Sequence, residues 1–247
     1  MPRFPREWIC PISRTLYKNL CFEKRIELNL KKFLFLREMD MSLKKATAII
    51  IVILFIDQIS KIYIKTNFVL GEEVRVFDWF SILFVENEGM AWGAKIPGTH
   101  GKLILTLFRI VAIAGIGYWL WDSIRNNLPK ILILCISLIF AGALGNIIDS
   151  VFYGVIFNDS HGQLATLFPE EGGYGTIFHG KVVDMLYFPL YNGTLPSWIP
   201  IWGGKYFTFF DPVFNIADSS ISVGVAILLF FNKKAFPKKE TVEVETA

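Results

Sequence analysis

The chain has 247 residues, 53% hydrophobic, 15% aromatic and 19% charged, with a net charge of +3. That much apolar surface excludes a disordered chain, and so small an excess of cations leaves no footprint for nucleic acid, so no nucleic-acid partner is expected. Three cysteines exclude a disulfide-dense scaffold, which leaves a membrane protein or an unusually apolar soluble domain.

Residues 1–40 hold scattered basic and aromatic residues with no sustained period, and Met41-Ser-Leu-Lys-Lys45 opens directly onto an apolar run. Residues 1–40 are therefore expected to be a disordered extension or the product of an upstream start. The first run, Ala46 to Ile64, reads as a membrane span and, lacking a small-residue cleavage site after it, as an uncleaved anchor. Next come two β-branched and aromatic stretches, Glu73–Phe77 and Ser81–Val85, separated by Asp78-Trp79-Phe80, which predict a short outer hairpin. Asn87-Glu-Gly-Met-Ala-Trp-Gly93 follows, with glycines suited to tight turns. Leu103–Trp121 and the uncharged Ile131–Ile148 predict the second and third spans, and Pro212–Phe231 the fourth. Between the last two lies a long, turn-rich outer loop.

Lys44 and Lys45 precede the first span, Arg125 and Lys130 lie between the second and third, and Lys233, Lys234, Lys238 and Lys239 follow the fourth. The two longer connections carry more acidic than basic residues. The positive-inside rule then places both termini in the cytoplasm and both long loops outside. The expected fold is an all-α integral membrane protein of four transmembrane helices, with a small extracytoplasmic hairpin and a long second outer loop.

Charge inside a span is costly and marks function. At about 1.5 Å rise per residue, Asp57 lies about 18 Å from the inner edge and Arg109 about 10 Å below the outer edge. Asn146 and Asp149 fall at the outer end of the third span, and Asn215 and Asp218 near the outer end of the fourth. Polar residues of four spans thus converge on one layer. Simpler readings stand beside this one. Asp57 and Lys61 suit an intrahelical pair, Arg109 a snorkelling cation, and Asn146 with Ser150 helix-to-helix bonding. Ala141, Gly142, Ala143 and Gly145 would let a neighbouring helix approach closely. Two carboxylates sharing a site hold one proton between them, which supplies a base for water and an acid for a leaving amine. No G-x-S-x-G motif supports a serine hydrolase, and His161 and His179 lack the clustering of a metal site.

The order Asp57-Gln-Ile-Ser-Lys61, Asn87-Glu-Gly-Met-Ala-Trp-Gly93, Gly142-Ala-Leu-Gly-Asn-Ile-Ile-Asp149, Val182-Val-Asp184 and Phe214-Asn-Ile-Ala-Asp-Ser219 resembles lipoprotein signal peptidase, or signal peptidase II, a family of bacterial membrane aspartyl endopeptidases. The resemblance spans about residues 45–230. It implies that Asp184 and Asp218 are the catalytic pair, and that Asp57, Asn87, Asn146, Asp149 and Asn215 line or support the site. The implied substrate is a prolipoprotein whose cysteine carries diacylglycerol, cleaved on the N-terminal side of that cysteine. No cofactor or metal is implied, and the expected form is a monomer in the bacterial inner membrane, in contact with membrane lipids, with its site near the outer leaflet.

Two departures stand out. The family commonly has Arg directly after the third-span Asp, where this chain has Ser150, so Arg109 is the candidate replacement cation. The second outer loop is long, and its stretches at about 158–178 and 191–206 suggest a lid or an added interface. Residues 41–232 are expected to form the peptidase domain and 233–247 a basic cytoplasmic tail. A proton-coupled transporter, which would usually show repeats and midplane sites, and a non-enzymatic assembly factor are the competing classes.

Overall fold

The computed structural model describes residues 43–88, 100–189, 191–209 and 211–237. The expectations for 1–40, for most of the Asn87–Gly93 motif and for the end of the basic tail lie outside these residues.

Among the described residues, three helices are long and apolar enough to cross a membrane. Helix α1 spans Leu43–Asn67 and α2 spans Gly101–Arg125. Helix α3, Lys130–Ile148, continues through a wide π-turn at Asp149–Tyr153 and a last helical turn at Gly154–Ile156. Much of α1 and α2 is bare apolar surface, with Phe55, Phe108 and Val111 among the residues turned outward. Helices that are apolar around their circumference need hydrocarbon or protein to cover them.

Helix α4, Ile216–Phe230, starts later than the sequence suggests and has 15 residues. Residues 213–215 belong to the sheet and the helix cap. Asn215 has extended backbone (φ −124°, ψ −177°), its side-chain oxygen accepts from the Asp218 N–H, and the Asp218 side chain accepts in return from the Asn215 N–H. This reciprocal cap ends the extended segment and starts the helix. A short helix, α5, follows at Asn232–Ala235.

Small residues bring α3 and α4 together. A Cβ at Gly142 would stand 2.2 Å from the Ala217 carbonyl oxygen, and one at Gly145 would stand 2.7 Å from Asp57 Oδ2. A backbone carbonyl cannot swing aside as a side chain can. Gly142→Ala is therefore expected to lower stability by about 1–3 kcal/mol, whereas Gly115→Ala, which meets nothing within 4 Å, should be neutral or mildly stabilising. Unfolding midpoints in detergent test this, and equal midpoints for the two variants would remove the close-approach argument.

The sheet exceeds the expected hairpin, so all-α understates the architecture. Strands β1 (Glu73–Phe77) and β2 (Phe80–Asn87) form that hairpin. They are joined by β3 (Val182–Tyr187) and β6 (Val213–Phe214) in an antiparallel sheet of order β1-β2-β3-β6. Register pairs Val85 with Asp184 and Asn87 with Val182, and Leu186 with Phe214. Strands β4 (Tyr191–Thr194) and β5 (Tyr206–Phe209) pair with each other in a separate hairpin. Under the main sheet, Phe84, Val183 and Met185 pack with Ile64, Phe68, Tyr153 and Phe157.

Residues 157–181 are stitched to this core. Gly175 N–H donates to Gly154 O at 2.8 Å, Phe178 N–H to Val151 O at 3.0 Å and Gly180 N–H to Ser150 O at 2.9 Å. A Cβ at Gly180 would fall 2.0 Å from the Asp149 carbonyl oxygen, so only glycine passes there. Backbone hydrogen bonds thus fasten the segment at 158–178 to the end of α3.

Candidate active site

One hydrogen-bonded chain links α1, α3, α4 and the sheet. Asp184 on β3 is buried, and its two carboxylate oxygens have separate donors. Asn215 Nδ2 donates to Oδ1 at 2.7 Å, and Asn87 Nδ2, from the end of β2, donates to Oδ2. Burial, and after it the negative charge of Asp218, push the Asp184 carboxyl up to about 8. Asp218, in the first turn of α4, is less enclosed. Its Oδ1 accepts from Asn146 Nδ2 at 2.8 Å. The two asparagines meet, with Asn215 Nδ2 lying 3.1 Å from Asn146 Oδ1 and 3.2 Å from Val183 O. Asn215 thus caps α4, ties β3 to it and holds one carboxylate.

Beneath this pair lies a buried charged cluster. Lys61, fully buried on α1, makes ion pairs with Asp57 at 2.9 Å and Asp149 at 2.7 Å, and donates to Asn146 Oδ1 at 2.8 Å. Gln58 Nε2 donates to Asp149 Oδ1 at 2.9 Å and to Asp57 Oδ2 at 3.1 Å. Tyr153 OH donates in turn to Gln58 Oε1 at 3.2 Å. The other oxygen of Asp57 accepts from the Ala217 N–H at 2.9 Å, so a carboxylate of α1 meets the first turn of α4. Two carboxylates on one ammonium need those extra donors, because a buried charge is tolerable only when paired and hydrogen-bonded.

Asp57, Asn87, Asn146, Asp149, Asp184, Asn215 and Asp218 are thus brought into one connected network. The Asp57–Lys61 pair is intrahelical, as the simpler reading had it, and also reaches Asn146 and Asp149 across helices. Among the described residues Arg109 is not hydrogen-bonded into this network. Its Nη1 is buried with no hydrogen-bond partner among the described residues, and the carboxylates acting on its charge are Asp218, Asp149 and Asp184. Ser150 is buried, and its hydroxyl donates back to Asn146 O at 2.9 Å.

Sequence reasoning missed Gln58 and Lys61 as network members, although both sit in the Asp57–Lys61 motif. It also missed a second buried cluster. Lys65, one turn beyond Lys61 and fully buried, pairs with Glu86 and donates to Ser160 Oγ at 2.9 Å. Lys181 reaches the other oxygen of Glu86 at 3.2 Å. The rings of Tyr174, Phe157 and Phe84 lie 4.9 to 5.8 Å from the Lys65 ammonium. Burial works to raise the Glu86 carboxyl, and Lys65 with Lys181 outweigh it and hold it below the usual range. Glu86 and Asn87 are neighbours on β2 and project to opposite faces. The cluster therefore fixes, from behind, the strand that carries Asn87 to Asp184. A lysine directly at the end of the first apolar run was the available signal.

Comparison with known proteins bears on what this network is for. The family described as Signal peptidase (SPase) II matches residues 49–232. The chain belongs to that family. It is accordingly an aspartic-type signal peptidase of the bacterial membrane. A lipoprotein signal peptidase of Porphyromonas gingivalis is 54% identical over 187 residues, covering 75% of this chain and 81% of the relative. One from Amoebophilus asiaticus is 38% identical over 178 residues, covering 70% and 71%. A bacterial membrane enzyme solved by the in meso method at 2.3 Å resolution superposes with a TM-score of 0.53 at 26% identity, covering 80% of this chain and 93% of that one. Signal peptidase II membership favours the peptidase over the transporter and the assembly factor.

Proposed function

We propose that Asp184 and Asp218 are the catalytic pair that removes signal peptides from diacylglyceryl-modified prolipoproteins, on the N-terminal side of the lipidated cysteine. The observation that carries this reading is the asymmetry of the pair. Asp184 is buried, has a donor on each oxygen and retains its proton to about pH 8, while the less enclosed Asp218 is held by Asn146. In the reaction, Asp218 takes a proton from water as the water oxygen bonds to the scissile carbonyl carbon. Asp184 donates its proton to the carbonyl oxygen, giving a neutral tetrahedral diol. Asp218 then passes its proton to the amine nitrogen, the C–N bond breaks, and a diol hydroxyl returns a proton to Asp184. Both carboxyls end as they began.

The substrate assignment is tested with a synthetic signal peptide bearing diacylglyceryl-cysteine and the same peptide with a free thiol. Cleavage of the lipidated peptide at least about 100-fold faster is expected, equivalent to about 2.7 kcal/mol of binding from the acyl chains. Equal rates would overturn the lipid requirement.

Arg109 is the group that meets the substrate from α2. A guanidinium nitrogen without a hydrogen-bond partner among the described residues, acted on by Asp218, Asp149 and Asp184, supports a role in bonding a backbone carbonyl as the substrate enters. Arg109→Ala is expected to reduce cleavage by about 10-fold or more, the worth of one charge-assisted hydrogen bond, and Ser150→Ala by under about 3-fold, since Ser150 bonds within its own helix. Equal small effects in a cleavage assay would remove Arg109 from the site.

Helix α4 serves as the fourth crossing. Its 15 residues span about 22 Å, and Phe231 with α5 completes the path. Lys233 and Lys234 then meet cytoplasmic headgroups. Both termini are cytoplasmic, the sheet and the dyad lie at the outer leaflet, residues 41–232 form the peptidase unit, and the enzyme works as a monomer.

A further inference from the structure

The β4–β5 hairpin is an unusual object. Its strands pair with each other in a sheet separate from the main one. It is inserted between β3 and β6, which are themselves paired at Tyr187 and Val213. A lone two-stranded hairpin is at best marginally stable in water. The segment between its strands is closed by turns, with Leu195 N–H donating to Lys205 O and Gly204 N–H to Leu195 O, both at 2.9 Å. Those turns and the start of β5 present large apolar side chains outward: Trp198 is 79% exposed, Ile201 86%, Trp202 58% and Tyr206 72%. Residues 191–209 contain no acid and one cation, Lys205.

We infer that this hairpin is a membrane-interface anchor, whose tip inserts at the headgroup–acyl boundary of the outer-facing leaflet. Three observations select lipid as the occupant. Two tryptophans and a tyrosine with one lysine is the composition that settles at a bilayer interface, where a ring is half apolar and half polar. The base of the hairpin is close to an apolar helix in sequence, because β6 runs directly to the Asn215 cap of α4. Aromatic rings also lie next to the base of the hairpin in sequence. Phe77, Trp79, Phe188 and Phe214 form a stacked ladder with centroids 5.5 to 6.0 Å apart, and Phe77 and Trp79 are exposed. The ladder joins the main sheet to Phe188, three residues before β4. Seated this way, the hairpin holds the sheet, and with it Asp184, at the level where acyl chains and water meet.

The test uses the full chain in phosphatidylcholine–phosphatidylglycerol vesicles, with the three native cysteines replaced by serine. A single cysteine at Ile201, Gln163 or Phe108 carries an environment-sensitive fluorophore. Gln163 is exposed on the 157–181 segment, and Phe108 is exposed on α2. The label at Ile201 is expected to be quenched by lipid carrying a nitroxide near its headgroup and to be several-fold less accessible to aqueous iodide than the label at Gln163. Iodide quenching equal to that at Gln163, without lipid quenching, would overturn the proposal. So would shielding from both quenchers, which would mean that protein covers the tip. Because the dye is itself apolar, native indole is read in parallel. The double variant Trp198→Tyr, Trp202→Tyr should lose a measurable share of the tryptophan emission that brominated lipid quenches. An unchanged quenchable share would equally overturn it.

Discussion

Asp184→Asn and Asp218→Asn, made separately, are each expected to reduce cleavage of a lipidated peptide by about 10³-fold or more, the upper range for a positioned general acid or base. Both changes are nearly isosteric, so the fold should survive. The chemistry should not, because an amide neither accepts a proton from water nor delivers one to a carbonyl. The two variants should differ in a second respect. Asp184 Oδ1 and Oδ2 both face asparagine donors, so an amide there sets one N–H₂ against another donor. Asp218 accepts from Asn146 Nδ2 at Oδ1 and from the Asn215 N–H at Oδ2, so its variant loosens the start of α4. Full cleavage by either variant would reject the pair.

The pH dependence follows from the same carboxyl. Burial and the Asp218 charge hold the folded Asp184 protonated to about pH 8, whereas a carboxyl in the unfolded chain loses its proton near pH 4. Activity that requires protonated Asp184 should fall as pH rises through about 8. The stability sign is the same. Between about pH 4 and 8 the folded state holds a proton that the unfolded state has released. This contribution is therefore complete below about pH 4 and is lost as pH rises through about 8. Asp184→Asn should flatten that decline, and an unflattened profile would show that another group titrates.

Lys61→Met is expected to destabilise the protein by about 3–5 kcal/mol, the cost of removing one partner from a buried ion pair. Lys61 is the ammonium in contact with Asp57 and Asp149, all three fully buried. It also sets the orientation of Asn146, whose oxygen accepts from Lys61 and Asn215 and whose nitrogen is thereby turned to Asp218. Activity should therefore fall along with stability. Adding Asp149→Asn to Lys61→Met removes one uncompensated charge and should recover part of the lost unfolding midpoint. A single variant within about 0.5 kcal/mol of the parent, measured in detergent, would show that Asp57 and Asp149 do not depend on that ammonium.

The sequence by itself determined the membrane class, the first three helices, the β1–β2 hairpin and, among the residues of the network, Asp57, Asn146, Asp149, Asn215 and Asp218. Spans and hairpins are written in local periodicity, and a charged residue within an apolar run stands out without any fold. Asp184 was different: its loop position was unremarkable, and only resemblance to the family singled it out. Tertiary structure alone decided which polar residues touch. Asn215 looked like a supporting residue one turn before Asp218. The fold makes it the cap of α4, the tie to β3 and a donor to Asp184, because extended backbone at 213–215 joins the sheet before the helix begins. The Lys65–Glu86–Lys181 cluster joins α1, β2 and the start of β3, residues far apart in the chain. No local pattern records that partnership, since a buried charge is stabilised by whatever the folded chain brings within reach. The exposed tip at Trp198 and Ile201 is of the same kind, its outward placement set by a hairpin that the main sheet leaves unpaired.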